Sequence, residues 1–431
     1  MERGELMERW YKIDNTGKIF HAVTNASNSS VYRVSMIMKE SVNAELLQDA
    51  LDKVIKRFPM LAVKVRKGLF WDFMEENDEK LHIQEETTYP CYIINPRENH
   101  GYLMRVLYFQ RRVSVEIFHS LTDGSGAVEF LKSLIFQYLL FQEKDVTTDG
   151  EVLFPDDVPS KYETEDSFEK YFHPSGQSQQ REKESPAFQI KGSPFDPPGV
   201  NVIHGVIQAS EVNKFAKKMG ASVTEFITAV LIHSIYAETM KYGLYQESIM
   251  IALPANLRRQ FPSVTLRNFF SVSNVGMPVT DETTLEDIMK TVSEQLSSKM
   301  KKETLQAGIN HHVQLQKKLS ARIVPVFVKY RAMRYGFYHF GEMSKTMTLS
   351  NLGNIKIPDS MKPYIERMEL VLYPTKNSPI NCGIASLNDR MTITFARSIV
   401  ETEIIKSFFS QLTHLTGLDI EVYSNNWGEQ T

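Results

Sequence analysis

The sequence predicts an α/β protein built from two sandwich-like domains, and three observations lead to this fold class. The chain has 431 residues, more than one ordinary domain holds and enough for two of about 200 residues. Strand-like and helix-like segments alternate in both halves. Between them, residues 151–199 are rich in Asp, Glu, Ser, Gln and Pro, as in a solvated linker. We therefore expect an N-terminal half at 1–150, a linker at 151–199 and a C-terminal half at 200–431.

The N-terminal half is predicted to begin with a strand and an amphipathic helix. Val31–Met38 is apolar and β-branched, as strands are. From Ser41 to Phe58, apolar residues recur at three- and four-residue spacing, and Pro59 ends the helix. Short strands are expected at 61–65 and 69–74. The runs 103–109 and 113–119 flank a polar segment and predict a hairpin, and the apolar spacing over 128–139 predicts a helix.

The C-terminal half shows the same alternation of elements. Strands are expected at 202–209, 248–253, 269–275, 369–373, 381–387 and 391–396, and helices at 223–237, 285–300, 306–319 and 401–416. A loop is expected from Pro254 to Arg259. Residues 321–340 mix aliphatic, aromatic and basic side chains, so they fit either a membrane-surface segment or a packed helix that lines a substrate channel. We favour the packed helix.

Composition and charge exclude several classes of protein. Lys and Arg total 49 against 52 Asp and Glu, a net charge of −3, which argues against a globally basic nucleic-acid binder. The two cysteines, Cys91 and Cys382, are far apart, so neither a disulfide framework nor a thiolate metal site is expected. The histidines show no ligand spacing, so we assign no metal. The start lacks an apolar signal core and no run is long enough to span a bilayer; we expect a cytoplasmic protein without stable membrane insertion.

The stretch from Phe118 to Gly126, FHSLTDGSG, carries the strongest chemical signal. Strand alternation places Val113, Val115, Ile117 and His119 on one face, so His119 ends a strand on the side facing apolar material. Thr122 and Asp123 suit a helix N-cap, and Gly124 permits a tight turn. This pattern fits a core histidine beside an ordinary cap. Taken alone it favours the core histidine, but it is also compatible with a general base, because imidazole titrates near neutrality.

Several further motifs, which follow one another along the chain, favour His119 as a general base. Together with the His119-x-x-x-Asp123-Gly124 pattern, they are Arg57-Phe58-Pro59, Pro254-Ala-Asn-Leu-Arg258, Asn268-Phe-Phe and Ser350-Asn351-Leu352-Gly353. The chain thereby resembles the CoA-dependent acyltransferase superfamily, which includes chloramphenicol acetyltransferase, plant BAHD acyltransferases, condensation domains and alcohol acetyltransferases. Lys67-Gly-Leu-Phe-Trp71 is most similar to bacterial alcohol acetyltransferase-type proteins. The resemblance covers nearly the whole chain and implies two chloramphenicol acetyltransferase-like domains with the active-site tunnel between them.

The resemblance also implies roles for individual residues. His119 would act as general base, Asp123 would pair with an arginine instead of relaying protons, and Gly124 would keep the turn tight. Arg258 is the expected partner of Asp123, and Arg259 is the alternative partner. Arg258 could instead be an ordinary solvated arginine at the surface. Phe118 stands where condensation domains usually carry a first histidine, which argues against a peptide condensation enzyme.

Ser350 and Asn351 fit two roles, as donors to a thioester oxyanion or as an ordinary polar turn. The implied function is O-acyl transfer, of an acetyl group above all, from acyl-CoA to an alcohol, with acyl-CoA as co-substrate and no permanent cofactor. The alternatives are a carrier-dependent acyltransferase or condensation-type enzyme, with a carrier protein as partner, and an inactive binding homologue.

Overall fold

Two β-sheets with mixed strand directions form the framework of the protein. The computed structural model describes residues 10–174, 185–241, 243, 246–317 and 324–425. Its strands are β1 (Trp10–Lys12), β2 (Val31–Met38), β3 (Val63–Arg66), β4 (Phe73–Glu76), β5 (Ile83–Glu85), β6 (Met104–Phe109), β7 (Arg112–Phe118), β8 (Asn201–Gln208), β9 (Ile249–Asn256), β10 (Phe270–Met277), β11 (Met347–Asn354), β12 (Ile365–Val371), β13 (Ile380–Leu387), β14 (Arg390–Arg397) and β15 (Glu421–Ser424).

The helices flank these sheets. They are α1 (Asn15–Val23), α2 (Ala44–Val54), α3 (Gly124–Phe141), α4 (Ser167–Lys170), α5 (Ala209–Lys218), α6 (Val223–Ile235), α7 (Leu285–Lys299), α8 (Lys302–Lys317), α9 (Val326–Gly336) and α10 (Glu403–Thr416). Single 3₁₀ turns lie at Ile55–Arg57, Lys161–Glu163, Leu257–Arg259 and Lys362–Tyr364, and π-helical turns at Tyr236–Met240 and Phe337–Glu342.

Each large sheet has its own hydrophobic core. The five-stranded sheet has the strand order β12-β2-β7-β6-β5, and α2 and α3 pack on it through residues such as Leu51 and Leu131. The seven-stranded sheet has the order β10-β9-β11-β13-β14-β8-β15, and α6 and α10 contribute Val230 and Phe408 to its core. A small antiparallel sheet, β1-β4-β3, is hydrogen-bonded to neither among the described residues, and its Val63 and Met74 join the first core. The predicted α/β class is therefore confirmed.

One strand crosses from the C-terminal part of the chain into the first sheet. β12 pairs antiparallel with β2, with Met368 opposite Met36. All eight residues of β2 are buried, so β12 covers an edge that would otherwise expose backbone donors and acceptors. The five-stranded sheet is thus completed by residues that lie inside the range assigned to the C-terminal half.

The strongest sequence patterns are confirmed as elements. The strand at Val31–Met38 has the predicted bounds, and β6 and β7 form the predicted hairpin, with Phe109 opposite Arg112. The helix after Ser41 is confirmed, but Asn43 is its N-cap, since the Asn43 side chain accepts from the Leu46 N–H at 3.1 Å. Of the helix predicted at 306–319, residues 318 and 319 lie outside the described residues, as do 321–323 of the aromatic segment.

Two predicted loops are strands. Pro254, Ala255 and Asn256 end β9 and pair with β10, so the predicted loop is reduced to the 3₁₀ turn Leu257–Arg259. Ser350 and Asn351 lie inside β11, in parallel register with Gly383 and Ile384. Polar composition suggested a turn, but pairing with β13 makes this backbone a strand.

The described part of the linker is packed in places. Glu163 forms two hydrogen bonds with Arg57, at 2.6 and 2.9 Å, and both side chains are buried. Phe168 of α4 is also buried and packs in a cluster with Phe269. Residues 151–174 therefore contribute to the fold, whereas their composition had suggested full solvation.

The sequence patterns did not predict several elements: the helices α1 and α5 and the strands β1, β5, β11 and β15.

Among the described residues, no single helix combines the length and the apolar composition needed to cross a bilayer. One bent pair, 209–218 with 223–240, does so only when the two helices are taken together.

Candidate active site

His119 lies directly after the end of β7. Its backbone N–H donates to the Ser30 carbonyl at 2.8 Å, which continues the pairing between β7 and the chain before β2. Val113, Val115 and Ile117 are fully buried in the first core, as strand alternation predicted. The imidazole is therefore held at the end of a rigid central strand and is itself only partly buried.

Three aromatic rings surround the imidazole. Phe20 of α1 stacks on it, with ring centroids 4.3 Å apart and an interplanar angle of 13°. Tyr32 of β2 and Phe270 of β10 lie at 4.7 and 5.4 Å. Burial lowers the pKa of His119, while its own carbonyl, the Asp123 carboxylate, Asn268 and the Thr122 carbonyl oppose this shift. Burial outweighs these neighbours, so the neutral ring is favoured near pH 7.

Asn268 fixes which ring nitrogen of His119 carries the proton. Its Nδ2 lies 3.0 Å from the His119 carbonyl and 3.2 Å from Oδ2 of Asp14. Both neighbours are acceptors, so this end of the amide must be the NH₂ group. The other end, Oδ1, is 3.2 Å from His119 Nδ1. Nδ1 must therefore donate, which leaves the lone pair on Nε2.

Asp14 is the buried anchor of this arrangement. The residue is 2% exposed, and Oδ1 caps α1 by accepting from the Gly17 N–H at 2.6 Å. Burial raises the pKa of Asp14 to about 6, against the opposing effect of the Arg267 guanidinium, which is 3.7 Å from Oδ2. One carboxylate thus caps the helix that carries Phe20 and orients the amide that holds His119.

The predicted pair of Asp123 and Arg258 is present, with 2.7 Å between Oδ2 and Nη1. Asp123 Oδ2 also accepts from the Phe269 N–H at 2.9 Å, and Oδ1 caps α3 by accepting from the Ser125 and Gly126 N–H groups. Four donors occupy this carboxylate. Its geometry suits a structural role and not proton transfer.

Arg258 connects the His119 loop to residues 265–270, which we call the clamp segment. Its Nε and Nη2 donate to the carbonyls of Thr265 and Arg267 at 3.0 and 2.6 Å. The clamp segment also contains Asn268 and Phe270, both of which contact His119. Arg259 is exposed and the structure gives it no contact with Asp123, so the alternative partner is wrong, as is the reading of Arg258 as a solvated arginine.

Gly124 is needed for close approach and not for its backbone angles. It lies in the first turn of α3 without a positive φ, so its backbone conformation does not require a glycine. A Cβ at this position would lie 2.7 Å from Cδ2 of Leu352. Gly126 is more constrained, because a Cβ there would clash with the backbone carbonyl of Leu266 and with the Thr122 hydroxyl.

Ser350 and Asn351 lie close in sequence to Leu352, whose side chain packs against Gly124. Asn351 donates from Nδ2 to the Thr224 hydroxyl at 3.1 Å, and its Oδ1 accepts from the Gly353 N–H at 2.8 Å. Ser350 is partly exposed. The structure therefore occupies much of the Asn351 amide in local bonds and leaves Ser350 the more available of the two.

Sequence reasoning missed part of this site. Asn268 was noted only as a motif residue without a role, and Asp14 and Phe20 were not noted. An Asp three residues before a Gly at a helix start is a capping signal for Asp14, but nothing local indicated contact with His119. Among the described residues, no group of three or more His, Cys, Asp or Glu side chains is arranged to hold a metal ion.

Comparison with known proteins identifies the fold. Neither a scan against protein-family models nor a search of curated proteins gives a match. The structure is similar to that of polyketide synthase associated protein 5 from Mycobacterium tuberculosis, with a TM-score of 0.59, 13% identity, and coverage of 94% of this chain and 97% of that one.

Two further solved structures show the same likeness. Trichothecene 15-O-acetyltransferase from Fusarium sporotrichioides aligns at a TM-score of 0.57 and 11% identity, covering 94% of each chain. A mutant starter condensation domain of rhizomide synthetase, in complex with C8-CoA, aligns at 0.57 and 11% identity, covering 95% of this chain and 94% of that one. The protein has the two-domain fold that these acyltransferase and condensation proteins share. Closeness to alcohol acetyltransferases in particular stays a prediction.

Proposed function

We propose that the protein transfers an acyl group, above all acetyl, from a CoA thioester to an alcohol, with His119 as general base. The observation that carries this proposal is the hydrogen bond between Asn268 Oδ1 and His119 Nδ1. It holds the proton on Nδ1 and leaves the Nε2 lone pair to accept another. The ring is partly exposed at a strand end, where a substrate can reach it.

The reaction we propose is direct transfer. His119 Nε2 takes the proton of the acceptor hydroxyl as its oxygen attacks the thioester carbonyl. When the tetrahedral intermediate collapses, the C–S bond breaks, and the imidazolium gives its proton to the leaving CoA thiolate. The products are an ester and free CoA. General-base catalysis of this kind is worth ~10²–10⁴ in rate.

A covalent acyl-enzyme is not part of the proposal. Both cysteines are fully buried, and burial raises the pKa of each thiol well above its ordinary value. Neither Cys91 nor Cys382 is therefore suited to act as a nucleophile. The Ser350 hydroxyl is our candidate donor to the thioester oxyanion, with the remaining Asn351 N–H as a second, and CoA serves as co-substrate and not as a resident cofactor.

A carrier-bound donor is the second candidate. One structural neighbour is the starter condensation domain of a synthetase, and its structure contains C8-CoA. The same histidine geometry serves a thioester on a carrier arm as well as one on free CoA, because the reacting atoms are the same. In this chain, however, Phe118 precedes His119, and its ring is buried against His21, which argues against a peptide condensation enzyme.

Thiol release is the measurement that tests the proposal. Purified protein with acetyl-CoA and a mixture of alcohols should release free CoA, and His119→Ala should reduce the rate by ~10²-fold or more. His414→Ala, at an exposed position on α10, is the matched control and should leave the rate unchanged. Asn268→Ala should lower kcat more than it alters KM, because the ring loses its orientation.

The same assay decides between the candidates. Turnover only with an acyl-loaded carrier protein would replace the free-CoA reading with the carrier-dependent one. CoA binding without turnover, in wild type and His119→Ala alike, would show a binding protein and contradict the proposal.

A further inference from the structure

We propose that one exposed aromatic and basic surface docks the protein onto an anionic lipid bilayer. The surface, called here the α9 face, combines the outward side of α9 and its π-helical extension with the tip of the β3–β4 hairpin. Its apolar members are Leu69, Phe70, Phe327, Val328, Tyr335, Tyr338 and Phe340, and its exposed cations are Arg331 and Arg334. This inference does not depend on the proposed reaction.

The inward side of α9 is fixed by polar contacts. Lys329 is buried, donates to the Phe70 carbonyl at 2.8 Å, and lies 3.5 Å from the centre of the Trp71 ring. Tyr330 donates to Asp72 Oδ2 at 2.7 Å. The Val326 N–H also donates to the Leu69 carbonyl at 2.9 Å. These bonds hold the helix and the hairpin tip together as one rigid unit.

Helical spacing then determines what faces outward. Phe327, Arg331 and Tyr335 are four residues apart, so they form one stripe on α9. Phe327 is 65% and Tyr335 64% exposed, and Leu69, at the hairpin tip beside Val326, is 70% exposed. Exposed apolar groups gathered in one area mark an interaction surface more often than chance scatter does.

Charge identifies the partner. From Val324 to Gly341 the sequence contains no Asp or Glu. Among the described residues, no carboxylate forms a salt bridge with Arg331 or Arg334, although Arg334 Nε donates to the Ala22 carbonyl at 3.1 Å. Basic side chains beside Tyr and Phe are the composition of interfacial helices, in which the rings enter the headgroup region and the cations meet anionic lipids.

A bilayer fits this surface better than a folded protein partner does. The exposed aromatic rings project from the convex flank of a helix. A protein partner needs a complementary groove or a buried centre to hold such rings, whereas lipid headgroups rearrange around them.

Docking through this face would place the proposed reaction near the membrane. Helix α9 packs on α1, and Arg334 at the border of the α9 face donates to the Ala22 carbonyl. On α1, Phe20 stacks on His119. Only one helix layer therefore separates the α9 face from the imidazole, which would favour acceptors that are dissolved in lipid.

Vesicle co-sedimentation of the full chain tests the proposal without any measurement of activity. We expect binding to vesicles of phosphatidylcholine and phosphatidylserine at about two to one, and at least ~10-fold weaker binding to phosphatidylcholine alone. Arg331→Glu should weaken binding by about fivefold or more, the effect of about 1 kcal/mol per cation at an anionic surface. The double variant Phe327→Ser/Tyr335→Ser should weaken binding to a similar or greater extent. These positions are exposed, so melting temperatures should be unchanged.

Matched controls and contrary outcomes are available in the same chain. Lys214→Glu makes the same charge change on α5, at a side chain that is 79% exposed, and Val158→Ser removes an 88% exposed apolar residue; both should bind like wild type. Equal sedimentation of all variants overturns the proposal, as does absence of binding to anionic vesicles. Two other results would also overturn it, if vesicles are not bound. One is concentration-dependent dimerisation that the α9-face variants abolish, and the other is capture of an acidic carrier protein that they abolish.

Discussion

His119 illustrates how single residues set the chemistry of this site. Burial lowers the pKa of the imidazole below its ordinary 6.5, and only the neutral ring can accept a proton. Acyl transfer should therefore rise with pH and level off, with an inflection below 6.5, as an initial-rate profile from pH 4.5 to 8 would show. A rate that instead falls as the pH rises from about 5 to 8, with chemistry rate-limiting, would contradict the general-base role.

The control for this profile is Asp14. Burial raises the pKa of its carboxyl to about 6, so it titrates in the same range as the imidazole. Asp14→Asn removes that titration and retains a side chain that caps helices well. An inflection that persists in this variant belongs to His119, whereas one that disappears depends on Asp14, through its own titration or through its bond to Asn268.

The ion pair of Asp123 and Arg258 gives a second prediction. The two side chains are 8% and 13% exposed, and loss of one partner of a buried pair costs ~3–5 kcal/mol. Asp123→Asn and Arg258→Ala should each lower both the free energy of unfolding and turnover, since the pair holds the clamp segment that carries Asn268. The double variant should be little worse than either single one, because contacting residues do not add.

Denaturant unfolding of all four proteins measures this. Simple addition of the two effects would show that each residue acts through other partners. Loss of turnover at unchanged stability in Asp123→Asn would place that carboxylate in the chemistry.

At the scale of elements, the junction between β7 and α3 leaves little room for side chains. We expect Gly126→Ala to destabilise the protein by ~1–3 kcal/mol, as overpacking does, because its Cβ would meet the Leu266 backbone. Gly124→Ala should cost less, since only the movable end of Leu352 is in the way. Melting temperatures of the two variants provide the comparison, and equal losses would contradict it.

Elements with a strong local signal could be predicted, and those that depend on distant contacts could not. Val31–Met38 is buried on both faces, so its apolar run is unbroken and its bounds were predicted correctly. β11 carries the polar Ser350-Asn351 pair and owes its strand state to β9 and β13, which no local pattern shows. Asp123 and Arg258 were paired through resemblance to a family, and not from spacing.

For the whole molecule, β12 determines whether the two halves can exist apart. A fragment of residues 1–199 lacks β12 and would leave the buried strand β2 with an open edge, which favours aggregation. We expect this fragment to be insoluble or unfolded, and the full chain to unfold in one transition by circular dichroism and fluorescence. A soluble, cooperatively folded fragment would contradict this prediction. The domain boundaries at 150 and 200 stay predictions. The pairing of β12 with β2 could not be predicted, because strand order in a sheet leaves no mark on local composition.

His119 and Asn268, the residue that orients its ring, are far apart along the chain, and this has a consequence for synthesis on the ribosome. Asn268 follows His119 by 149 residues, which a ribosome adds in roughly 7–30 s at about 5–20 residues per second. During that interval the emerging chain carries the imidazole without the amide that orients it, and β12 is made later still. In a nascent chain, therefore, the His119 ring is not yet oriented to act as a base. Thioesters near the ribosome can encounter the complete site only after the clamp segment has been translated.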